Sequence, residues 1–76
     1  MRLTAFDAAC NDYNNLVLRL YTEKQMKTLT PQRAEELIAD AMSVLRGMTK
    51  NPGSIETDEM IATVSRELWE ECFPTQ

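Results

Sequence analysis

The sequence predicts an all-α fold, a small three-helix bundle with up-down-up topology. Three observations predict it. Apolar residues recur at steps of three and four through three separate segments, the period of an amphipathic helix. Each segment follows a residue suited to cap a helix start: Thr4, Thr30 and Thr57. Glycine and proline number only two and three in 76 residues, too few for a turn-rich β fold. A chain of this length forms one domain, residues 1–76, with a thin core.

The first helix is expected over about residues 4–26. Thr4 caps it, with Asp7 three residues on as an acidic form of the capping box. Phe6, Cys10, Tyr13, Val17 and Leu20 form its apolar stripe, flanked by Ala9, Leu16 and Tyr21, and Asn11, Asp12, Asn14, Asn15 and Arg19 lie off it. Lys24 and Lys27 bring charge onto the apolar side and mark the end, where cations suit the helix dipole. The second helix is expected over about 31–48. Thr30 caps it, and Pro31 at its first position has no N–H to leave unpaired. Leu37, Ile38, Ala41, Met42, Val44, Leu45 and Met48 span an arc of roughly 160°, wide enough to pack against both neighbours. Gly47 is the expected C-cap.

Asn51-Pro52-Gly53-Ser54 has strong turn chemistry, with Ile55 expected to tuck inward as an anchor. The third helix is expected over about 58–73, after Thr57, with Asp58 and Glu59 in its first turn and Pro74 as its stop. Ile61, Val64, Leu68 and Cys72 form its inner stripe, and Trp69 and Phe73 flank it. Short connections favour antiparallel neighbours, so helices 1 and 3 run parallel. Cys10 near one end and Cys72 near the other then sit on the order of 15–20 Å apart. A disulfide needs Cα atoms within about 7 Å, so two free, buried thiols are expected.

Composition excludes several functions. The chain has no histidine, which removes the commonest general base and every Cys–His or Ser–His pair. No GxxxxGK[ST] or GxGxxG loop is present to cradle a phosphate. Two cysteines without histidine do not make an ordinary structural zinc site. The loop from Asn51 to Glu59 lacks the ligand spacing of a calcium loop. Neither enzyme activity nor a cofactor is therefore expected. No run of about 20 apolar residues spans a membrane, and the first residues lack the apolar region of a signal peptide, so a cytoplasmic location is expected.

Charge separates the remaining readings. The chain carries a net −4, distributed unevenly. Residues 54–76 hold six acids and one base, Arg66, whereas the rest of the chain is nearly balanced. Helix 3 thus combines Glu67, Glu70, Glu71 and Arg66 with the aromatic pair Trp69 and Phe73. Aromatic anchors dominate binding energy at interfaces. This points to a stoichiometric binder of another protein, an inhibitor or adaptor, with small accessory proteins of phages and mobile elements that block host machinery as a class-level analogy. A second reading is a nucleic-acid-linked regulator using the basic helix 1–2 corner of Arg19, Lys24 and Lys27. Acidity makes direct nucleic-acid binding unfavourable. A third is an acidic decoy in which the helix 3 carboxylates imitate a phosphate row. Homodimerisation is compatible with all three, since the longer helix 1 overhangs its neighbours. No segment matches a motif specific enough to name a family.

Overall fold

The computed structural model describes residues 4–74. Three helices account for most of them: α1 (Ala5–Gln25), α2 (Pro31–Gly47) and α3 (Ile55–Cys72). No strand occurs among the described residues. The chain is the expected three-helix bundle with α2 in the middle, packed along both α1 and α3, which meet each other only briefly.

The helix starts follow their caps. Asp7 N donates to Thr4 Oγ1 at 3.1 Å while Thr4 N donates back to Asp7 Oδ2 at 3.3 Å, closing the capping box of α1. Arg33 N donates to Thr30 Oγ1 at 3.1 Å, and Pro31 occupies the first turn of α2. The start of α3 differs from expectation. Ser54, not Thr57, is its N-cap, accepting from Thr57 N at 3.1 Å, so the helix begins three residues early. Thr57 is instead buried at the third helical position. Its hydroxyl donates to Asn51 O at 2.7 Å and accepts from Ser54 Oγ at 3.0 Å. A buried hydroxyl must be paired, and this corner pairs it twice. With the helix starting early, Ile55 sits in the first turn and is 72% exposed, so it is not an anchor.

The helix ends also depart from expectation. Gly47 is the last helical residue of α2, and Met48 is the C-cap, in ordinary right-handed conformation. Thr49 Oγ1 donates to Arg46 O at 2.8 Å and ends the helix without a left-handed glycine. The left-handed position lies at the end of α1, on Lys27, with φ 62°. Thr28 N donates to Glu23 O and Lys27 N to Lys24 O, both at 3.0 Å. These two bonds make a Schellman motif, which normally takes glycine where Lys27 stands.

Burial is graded along the bundle. Leu20, Ala34, Leu37, Ile38, Ala41, Met42, Leu68 and Cys72 form the buried core. Six of the eight lie toward the end where α1 finishes, α2 starts and α3 finishes, and Ala41 and Met42 lie just past the middle of α2. At that end Arg33 forks onto Glu23, Nε to Oε1 and Nη2 to Oε2, each at 3.2 Å. Toward the opposite end Tyr13, Leu45, Met48, Ile61 and Val64 are half-buried, and Phe6 is 58% exposed. The tight α1–α2 turn aligns the two helices there, so the four extra residues of α1 project at the far end, by about 6 Å. The molecule is correspondingly a flat fan of 37 × 34 × 16 Å with a radius of gyration of 13.3 Å. That radius exceeds the roughly 11 Å of a closely rounded chain of this length. Both cysteines are free; Cys72 is buried, but Cys10, toward the open end, is only half-buried.

Candidate interaction face on the third helix

The helical period sorts the residues of α3 into three directions. Thr57, Ile61, Val64, Leu68 and Cys72 face the bundle. Glu56, Glu59, Glu67 and Glu70 lie on the opposite side, all exposed, along roughly 20 Å of helix. Trp69 lies between these directions. It is half-buried, packs against the core with one edge and lines the α2–α3 groove with Ile38, Ala39, Ala62, Ser65 and Arg66. Phe73 stacks on it one turn later, with ring centroids 4.7 Å apart and planes tilted by 42°. Both aromatics are therefore partly core and partly surface.

Glu67, Glu70 and Glu71 come together around a shallow recess with Pro74 at the C-terminal end of α3. Among the described residues none of the three is ion-paired; the salt bridges join Arg33 to Glu23 and Glu36, and Arg46 to Asp58. For Glu70 and Glu71, in the last turn of α3, the position is electrostatically unfavourable; Glu67 lies one turn earlier. A helix C-terminus is the negative end of the dipole, where each acid costs about 0.3–1 kcal/mol. α1 and α2 place Lys24 and Arg46 in their last turns, but α3 has no basic residue there. Among the described residues the local compensation comes from α1, whose Lys24 Nζ donates to the Glu71 carbonyl oxygen.

That bond decides the surroundings of the basic residues. Lys24 lines a recess with Tyr21, Gln25 and Glu71, between α1 and α3. Arg19 lines the α1–α2 groove with Asp12, Asn15 and Asp40, roughly 140° around the helix from Lys24. Lys27 is exposed in the turn. Lys24 and Arg19 thus point into separate grooves. Arg66 is exposed beside Trp69, at the edge of the acidic face.

Two titratable groups near the Lys24 contact are shifted. Burial pushes the Cys72 thiol up from its ordinary value, with Lys24 opposing and Glu71 adding to the rise. Burial, then the Glu71 carboxylate, raises the Tyr21 phenol in the same direction. Both groups are held neutral, which suits packing and not nucleophilic chemistry. Among the described residues no three acidic or cysteine side chains converge to hold a metal ion, and no helix is long and apolar enough to cross a membrane.

Sequence reasoning singled out the acids and aromatics of α3 but missed the groove beside them. Ala39 and Ala62 are both exposed, and their small side chains leave the α2–α3 seam shallow next to Trp69. Two alanines on different helices give no signal until the helices are docked. Comparison with family models, with curated proteins and with solved structures found no match for this chain.

Proposed function

We propose that this chain acts in the cytoplasm as a stoichiometric, non-catalytic binder, an inhibitor or adaptor, that docks α3 on a basic surface of another protein. One observation carries this reading. Two unpaired glutamates, Glu70 and Glu71, occupy the last turn of α3, the wrong end of its dipole, with unpaired Glu67 one turn before them, and the half-exposed Trp–Phe pair begins about 100° around the helix from Glu70. They do not stabilise α3, and a cationic partner would neutralise them. Trp69 and the shallow groove at Ala39 and Ala62 supply apolar area for an anchor, and Arg66 adds a polar rim.

The experiment is affinity capture with three baits run side by side from the source cell or its host: wild type, Glu67→Lys/Glu70→Lys, and Asp12→Lys/Asp40→Lys. The two doubles change net charge equally but on different faces. All four positions are exposed, so both variants should fold. A partner retained by wild type and by the Asp12/Asp40 variant, but lost from the Glu67/Glu70 variant, supports the reading. No retained protein, or equal retention by all three, overturns it. If the retained protein also binds nucleic acid, competition between the two ligands distinguishes a phosphate-mimicking decoy from an adaptor.

A further inference from the structure

Given the basic protein partner proposed above, we infer that the element it docks is an amphipathic helix, seated in an apolar mouth between α1 and α3 at the open end of the bundle. The inward stripes of three helices converge there without a cover. Tyr13, Leu45 and Ile61 each lie about two helical turns from a buried counterpart on the same stripe, Leu20, Ile38 and Leu68. Yet Tyr13, Leu45 and Ile61 are only half-buried, as are Cys10, Val17, Met48 and Val64. Phe6 is 58% exposed, and Met60, beside Val64, is 37% exposed. Single exposed apolar residues are ordinary on a protein surface, but these stand on core-facing positions of three helices.

Topology gives the reason. α1 and α3 each pack along α2 but meet only briefly, at the end where Lys24 reaches the Glu71 carbonyl. They stand like the diagonal members of a four-helix bundle, and among the described residues no helix fills the fourth corner. From Phe6 to Val17 α1 rises about 17 Å, or three turns. A helix laid along it presents apolar residues at the i, i+3 or i+4 and i+7 positions and covers the converging stripes together.

Charge selects the occupant. Tyr21, Gln25 and Glu71 line one recess, which fixes the sides that α1 and α3 turn to each other. Helical spacing places Asp7 and Asn14 on that side of α1, and Glu56, Met60 and Glu67 on that side of α3, all exposed. The rim of the mouth therefore holds three acids and, among the described residues of those two sides, no free base. Lys24 is held by the Glu71 carbonyl. Arg46 is held by Asp58 and the Pro52 carbonyl, and Lys50 stands in the loop after α2. A second copy would bring the same three acids to the same rim, so like charges would meet. Lysine or arginine beside the apolar stripe of another protein's helix finds them complementary.

The probe is a helical peptide of about 15 residues, with leucine at the i, i+3, i+4 and i+7 positions and lysine elsewhere, labelled for anisotropy and titrated with the full chain. Wild type should bind it, less tightly at high salt. Bound peptide should shield Cys10, slowing its reaction with a thiol reagent about tenfold. Phe6→Ala and Met60→Ala each remove part of the apolar wall and should weaken binding about tenfold, the effect of losing an interface anchor. Both side chains are exposed, so the variants should keep their helix content by circular dichroism. Met26→Ala, exposed at the opposite end, should bind as wild type does, and a peptide with glutamate in place of lysine should not bind. The inference is overturned by no binding up to about 1 mM. Binding that leaves Cys10 unshielded, that Phe6→Ala and Met60→Ala do not weaken, or that the glutamate peptide matches also overturns it. Affinity lost only in Glu67→Lys/Glu70→Lys, with Cys10 still reactive, sinks the mouth and leaves the acidic face of α3 standing. Peptide seated in the mouth, with no partner retained in the capture experiment, sinks the proposed function alone.

Discussion

Replacing Lys27 by glycine should stabilise the protein, although it removes a side chain. Lys27 holds φ at 62° so that Thr28 N can reach Glu23 O and end α1. A residue with a Cβ in that conformation costs about 1–2 kcal/mol. Glycine removes the clash but loses more backbone freedom on folding, at a cost of about 0.5–1 kcal/mol. The lysine side chain makes no hydrogen bond or ion pair among the described residues, so the other loss is its exposed charge at the helix C-terminus, which Lys27→Ala loses equally. The net gain is about 0.5–1 kcal/mol, which for a domain this small raises Tm by about 2–8 °C. Thermal denaturation followed by circular dichroism at neutral pH reads this directly. Lys27→Ala is the control, because it removes the charge and keeps the Cβ, and it should leave Tm nearly unchanged. An unchanged or lower Tm for Lys27→Gly, or an equal gain for Lys27→Ala, would refute the strain argument.

Further predictions follow from the graded core. Leu20→Ala, at the sealed end, should cost about 2–5 kcal/mol, whereas Phe6→Ala at the open end should cost less than about 1 kcal/mol; urea denaturation compares them, and equal costs would contradict the gradient. Thr57→Val should cost about 0.5–1.5 kcal/mol in the same assay, because it removes the bond from the buried hydroxyl to the Asn51 carbonyl, which keeps Ser54 N as a donor. Cys10 should react with a thiol reagent well before Cys72, whose modification should track unfolding; equal rates would place Cys72 nearer the surface. Stability should also fall in alkali. The Cys72 thiol and Tyr21 phenol bind their protons more tightly when folded than their ordinary values of 9.0 and 10.0. The unfolded chain therefore ionises first, and the stabilisation present below about pH 9 is lost as pH rises through the raised folded values. A Tm independent of pH above 9 would contradict this.

The number of helices, their order and the face each presents were legible in the sequence, because the apolar period and the caps Thr4 and Thr30 agree with each other. The start of α3 was not. Ser54 and Thr57 are both good caps three residues apart, and only the docked corner, where the buried Thr57 hydroxyl pairs with Asn51 O and Ser54 Oγ, decides between them. Gly47 misled because Met48 and Thr49 finish α2 with right-handed geometry, while the left-handed residue fell on a lysine. The acids and aromatics of the candidate face could be named from helical spacing. That Lys24 is drawn to the Glu71 carbonyl, away from Arg19, depends on two residues 47 positions apart and was not legible.

The central claim is that the acidic face of α3 is the docking surface. The measurement that tests it most directly is the affinity of the captured partner for wild type and for Glu67→Lys/Glu70→Lys, titrated by Trp69 fluorescence at low and high salt. Trp69 is the chain's one tryptophan and lines the α2–α3 groove about 100° around α3 from Glu70, so it reports a partner that reaches from those acids onto the groove. The account predicts a change in Trp69 emission on binding, weaker affinity at high salt, and at least a tenfold loss in the variant, corresponding to about 1.4 kcal/mol. Equal affinity of the two proteins, with no change at Trp69, would contradict it.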